Sequence, residues 1–93
     1  MRDEASIPIG GRRWKIKLVP ARSLPQNTDG TCSFPAGRFP QIEVRKSLSE
    51  KQILTTLVHE LLHASCDLLS EEAVVAISCD VARGLWAMGY RRP

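Results

Sequence analysis

The sequence predicts an α+β mini-domain: a small two- or three-stranded sheet on the N-terminal side, packed on two helices. Three observations carry this. The first half alternates apolar and polar residues with a period of two, as in RRWKIKLVP and QIEVR. The second half repeats apolar residues at helical spacing behind two helix-start signals. Clusters of Pro, Gly, Asn and Asp punctuate the segments between. A length of 93 residues suits one domain with a modest core, expected over residues 12–93.

In chain order, residues 1–11 read as a flexible tail ending in Gly10-Gly11. In the next segment Trp14, Ile16 and Leu18 fall on one side of a strand, and Arg13, Lys15 and Lys17 on the other. Pro20 ends it. Residues 20–30 carry two prolines, Asn27, Asp29 and Gly30, and form a loop. TCSF suits a short strand, PAGRFP a turn, and QIEVR a further strand with Ile42 and Val44 inward. Ser49 with Gln52 makes a capping box and Ser47 with Glu50 a competing one, so a first helix is expected over about 50–66. CDLLS breaks it. Ser70 is a good N-cap, with Glu71 and Glu72 in the following turn, and a second helix should run to about Met88 with Gly89 closing it.

Composition excludes several classes. The chain is 43% hydrophobic and 25% charged, values typical of a globular domain rather than a disordered one. No apolar run approaches the ~18 residues of a membrane span, and the N-terminal stretch has acids and no apolar core of a secretory signal. Cys32, Cys66 and Cys79 are odd in number and irregular in spacing, which fits reduced thiols rather than a disulfide framework. A cytoplasmic protein is expected. The net charge of +3 is concentrated in the first half, most densely in GRRWKIK. Nucleic acid is one partner such a segment could meet, although the solvated face of a strand explains it more simply.

The chemistry lies in HELLH, whose histidines are the only two in the chain. On a helical wheel Ile53, Leu54, Leu57, Val58, Leu61 and Leu62 fill one broad arc, and His59 and His63 lie opposite, one turn apart. Two imidazoles at i and i+4 converge on one ion, and Glu60 on the flank can reach a water beside it as a general base. A catalytic zinc needs a third protein ligand. The extended histidine motif that would supply it from the same helix is absent, since Cys66 and Leu69 stand where Gly and His are required. Cys66 is a minor alternative. Glu71 and Glu72 open the next helix after a short turn and are better placed. Glu72 aligns with Ala76 and Asp80, a flank small enough to lie against the first helix, and is favoured over Glu71. Asp80 is a candidate to accept a histidine N–H from behind the site.

TLVHELLHA, LSEEAV and DVARGLWAMGYR, together with the upstream DGTC and IEVRKSL, resemble small HExxH proteins of bacteriophages and prophages. These are similar in turn to pared-down SprT-like or ImmA/IrrE-like proteins. The resemblance spans roughly residues 12–92. More widely it extends to the gluzincins, thermolysin among them, in which a glutamate from a later helix completes the zinc site. It implies zinc held by His59, His63 and one of the two glutamates, with Glu60 as base, in a zincin-like fold. Glu72-Ala73 is similar to the Glu-Ala of that third-ligand helix. The sequence departs from gluzincins in having Ala76 where an aspartate follows, and in the short distance from His63 to the glutamates.

The expected activity is zinc-dependent peptide-bond hydrolysis on a peptide or protein substrate, in the cytoplasm of a bacterial host if the chain is phage-encoded. Tyr90 is the one tyrosine available to support an oxyanion, although an aromatic packed beside Trp86 is the plainer role. The alternative is a zinc-stabilised binding or regulatory protein without turnover, with nucleic acid among its contacts. Glu60 separates the two, because a structural zinc needs no base.

Overall fold

The computed structural model describes residues 3–35 and 37–92. The alternating segments form a four-stranded sheet: β1 (Glu4–Ile9), β2 (Arg12–Val19), β3 (Gly30–Ser33) and β4 (Gln41–Arg45). Their spatial order is β1-β2-β4-β3. β1 and β2 are antiparallel, β2 and β4 parallel, and β3 and β4 antiparallel. Two helices follow, α1 (Glu50–Ser65) and α2 (Glu71–Ala87).

One expectation fails at the start of the chain. Residues 1–11 are not all tail: Glu4–Ile9 is an edge strand, paired with β2 from Glu4 opposite Lys17 to Ile9 opposite Arg12. Ala5, Ile7 and Ile9 alternate with Glu4, Ser6 and Pro8, and only the former set is partly covered. Gly10 and Gly11 have φ of 59° and 80°, so they make the two-residue hairpin turn that needs positive φ twice. Pro8 is tolerated because β1 is an edge. Residues 1 and 2 lie outside the described residues, as does Ala36 of the PAGRFP turn.

The inward faces of the strands and one side of α1 make the core, in which Trp14, Ile42, Val44 and Ile53 are buried. Ile16, Leu18, Cys32, Leu57, Leu61 and Ala64 pack around them. α1 begins at Ser49, whose hydroxyl accepts from the Gln52 N–H while the Gln52 side chain accepts from the Ser49 N–H. α2 begins at Ser70, which accepts from the Ala73 N–H. Gly89, with φ 89°, follows its end.

The helices are rotated relative to the wheel. α1 lies between the sheet and α2, so its apolar arc is shared and Ile53 and Glu60 are its buried residues. On a helical wheel Ala73, Val74, Ile77, Val81, Gly84 and Leu85 form the apolar side of α2. Of these Val74 is buried, together with Ser78 and Ala82, while Ile77, Val81 and Gly84 are exposed. Small Ser78 and Ala82 let α2 sit close to α1, and that contact sets its rotation.

Candidate metal centre

His59 and His63 point from consecutive turns of α1, with their Nε2 atoms 3.2 Å apart. The carboxylate of Glu71, at the first position of α2, closes on both. Its Oε1 is 3.0 Å from His59 Nε2 and its Oε2 is 2.9 Å from His63 Nε2. Three donor groups from two helices thus converge on one point. In a zinc tetrahedron with bonds of about 2.0–2.1 Å, neighbouring ligand atoms stand about 3.3–3.4 Å apart. The observed separations fall a few tenths of an ångström short of that, so a small opening admits the ion. Two imidazoles and a carboxylate are also the donor set zinc takes in open sites.

Glu60 belongs to the same cluster. One ligand atom from each of His59, Glu60 and His63 lies within 4.8 Å of the others. Glu60 forms no ion pair with either histidine, whereas Glu71 pairs with both, so the geometry separates a bridging carboxylate from one standing behind. Glu60 is 7% exposed. Burial pushes its pKa up, the two histidines pull it down, and Glu71 pushes it up again, leaving it above the ordinary glutamate value. A buried carboxyl that holds a proton more readily than a surface glutamate is suited to acid–base work.

The glutamate favoured in the sequence is not the one beside the histidines. Glu72 is exposed and forms no ion pair among the described residues. The placement follows from the rotation of α2. Its small-residue face against α1 is Ser78 and Ala82, which line up with Glu71, not Ala76 and Asp80, which line up with Glu72. Asp80 is exposed and bonds Arg83 at 2.9 Å, so it does not support a histidine. Tyr90 is 65% exposed and lines a cavity with Ile53, Leu54 and Leu57 in the first half of α1, away from the histidines. Cys66 caps the C-terminus of α1 through its backbone N–H.

The loop before β3 contributes residues the sequence did not assign to the site. Asn27, Thr28, Asp29 and Gly30 form one wall of a cleft of about 350 Å³, and Thr55, Thr56, His59 and Glu60 the other. Gly30 is there for lack of a side chain: a Cβ would lie 2.7 Å from Thr56 Cγ2 and 3.3 Å from Glu60 Oε2. Cys32, on the same strand face, has its thiol pKa raised by burial and by the charge of Glu60. The turn residues Asn27, Asp29 and Gly30 were legible as a loop, but nothing local said what the loop faces.

The basic side chains Arg13, Lys15 and Lys17 alternate with the core residues of β2 and lie on the sheet face away from α1. Lys15 and Lys17 line a second cleft with Arg38 and Phe39. Among the described residues, no helix is long and apolar enough to cross a membrane. No family model, curated protein or solved structure matches this chain. The structure therefore defines a His/Glu/His cluster of HExxH type, fit for a single metal ion, in a small α+β domain.

Proposed function

We propose that the chain is a zinc-dependent metallopeptidase-like protein of minimal gluzincin type, with His59, His63 and Glu71 as ligands and Glu60 as general base. One observation carries this reading: the Glu71 carboxylate bridges both imidazole Nε2 atoms while a second carboxylate, Glu60, stays buried next to them. A structural site would need only the first.

Zinc, if held by His59, His63 and Glu71, would supply Lewis-acid chemistry, lowering the pKa of a water molecule toward neutrality. Glu60 takes the proton of the attacking water and returns it to the leaving nitrogen as the C–N bond breaks. Its burial raises the carboxyl's pKa above that of a surface glutamate, which favours proton uptake. Gly30 leaves room for the carboxylate, since a Cβ there would lie 3.3 Å from Glu60 Oε2, and Thr56 lines the same cleft. β3 is the free sheet edge nearest the site, and an extended peptide would add to it by main-chain hydrogen bonds. β4 is internal to the sheet and offers no edge.

The test is hydrolysis of a fluorogenic peptide library by zinc-loaded wild type and Glu60→Gln. The reading expects turnover in wild type, lost by about two orders of magnitude or more in Glu60→Gln, with zinc content equal in the two. Zinc bound without turnover in either protein would favour the zinc-stabilised binding protein instead.

A further inference from the structure

The sheet face turned away from α1 carries a cluster of cations that no helix covers. Arg13, Lys15 and Lys17 project from it at every second residue of β2, in steps of about 6.8 Å. Gly37, with φ 67°, turns the chain before β4. Beyond it Arg38, Phe39 and Gln41 join Lys15 and Lys17 around a cleft of about 560 Å³. The Lys15 N–H donates to the Pro40 carbonyl at 3.0 Å, which holds this turn against β2.

These cations are not engaged by acids. Arg13, Lys15, Lys17 and Arg38 form no ion pair among the described residues, whereas Arg45, Lys46, Arg83 and Arg92 each hold an aspartate. Arg13 reaches only the Ser6 carbonyl oxygen, at 3.4 Å. The acids of β1 and β4 on this face are Glu4 and Glu43, and both stand beside Lys17 in the strand register. Lys15 has Ser6 and Gln41 beside it instead. The uncompensated positive charge therefore lies on Arg13, Lys15 and Arg38, next to a Phe39 side chain that is 54% exposed.

We propose that this face binds single-stranded nucleic acid, with phosphates along Arg13, Lys15 and Arg38 and one base on the Phe39 ring. Three features select that occupant. Cations without acid partners beside an exposed aromatic ring match a polyanion that also carries flat π-faces. A duplex does not fit the shape. Its major groove admits a helix or a two-stranded ribbon, and β2 and β4 are the two central strands of a four-stranded sheet. An acidic peptide would find no partner for its main chain, because β2 and β4 pair with each other and with their outer neighbours and leave no free edge at the cleft. The sheet lies between the cleft and α1, so the inference does not rest on the metal centre.

Fluorescence anisotropy of a short labelled oligothymidylate, titrated with the full chain, tests this. A Kd of about 1–100 µM is expected at physiological salt, with log K falling against log salt at a slope of about −2, from roughly three phosphates neutralised. Lys15→Gln should weaken binding and flatten the slope by about 0.7. Arg38→Gln, at an exposed turn position, should do the same. Phe39→Ala should weaken binding by about tenfold with the slope unchanged. Lys51→Gln, on α1, should bind as wild type. Far-UV circular dichroism checks that each variant is folded. No binding, a slope unchanged in both Lys15→Gln and Arg38→Gln, or an equal loss in Lys51→Gln would overturn the proposal. So would a duplex that binds as tightly as the single strand. Binding that poly-glutamate displaces as well as unlabelled oligothymidylate does, and that Phe39→Ala leaves unchanged, would point to an acidic polypeptide and overturn it too.

Discussion

Gly30→Ala has an outcome whose sign the structure decides. Gly30 does not need positive φ. On backbone grounds alone, alanine in a strand would stabilise the chain by about 0.4–1 kcal/mol, through a less flexible unfolded state. The contacts oppose this. The new Cβ would lie 2.7 Å from Thr56 Cγ2, 3.1 Å from the Glu43 carbonyl oxygen and 3.3 Å from Glu60 Oε2. The first is well inside contact distance, and it involves a β-branched side chain on a helix, which has only two favoured χ1 wells in which to move. α1 or β3 must then move, an overpacking cost of about 1–3 kcal/mol. For a domain of this size 1 kcal/mol is roughly 4–8 °C in Tm, so a fall of at least about 4 °C is expected by thermal or urea unfolding. Thr56→Ser removes the clashing methyl group. The Gly30→Ala/Thr56→Ser double variant should therefore recover most of the loss, with a coupling of about 1 kcal/mol or more. A Gly30→Ala variant as stable as wild type, or more stable, would refute the reasoning and loosen the link between the loop and Glu60.

Two further predictions concern the scaffold. Ser49→Ala removes the side-chain half of the α1 capping box, the hydroxyl that accepts from the Gln52 N–H, while the backbone N–H of residue 49 can still donate to the Gln52 side chain. It should cost about 1 kcal/mol, read as a lower urea midpoint with an unchanged slope. Asp3 joins Lys46 and Arg92, tying the start of β1 to the segment after β4 and to the C-terminal residues. Lys46 first and Arg92 second hold its carboxyl below the ordinary value of 3.8. A carboxylate depressed in the folded state stabilises the fold above its unfolded pKa and loses that effect as pH falls through the folded value. Asp3→Asn should therefore be less stable than wild type at neutral pH, by a small amount because the site is exposed. The difference should vanish in strong acid, and one that persists or grows there would contradict the assignment.

Both helices were legible in the sequence because their ends are marked by local chemistry: Ser49 with Gln52, Ser70 with two following acids, and Gly89. β2, β3 and β4 were legible from alternation. β1 was missed, although Ala5, Ile7 and Ile9 alternate and Gly10-Gly11 is a hairpin signal, because its polar face and position suggested a tail. The convergence of His59 and His63 followed from one helical turn. The choice between Glu71 and Glu72 did not, because a wheel gives the angles among residues of one helix and not the direction of its neighbour. The sequence placed the flank of Ala76 and Asp80 against α1, and the small residues Ser78 and Ala82 are the buried ones instead. The Asn27–Gly30 wall of the cleft depends on the pairing of β3 with β4, a contact between distant segments that no local pattern encodes.

The central claim is that His59, His63 and Glu71 together hold one zinc ion. Elemental analysis of purified, zinc-reconstituted protein tests it most directly, in wild type, Glu71→Ala and Glu72→Ala. One zinc per chain is expected in wild type and in Glu72→Ala, with loss in Glu71→Ala. Absence of zinc from wild type, or loss in Glu72→Ala with retention in Glu71→Ala, would contradict the account.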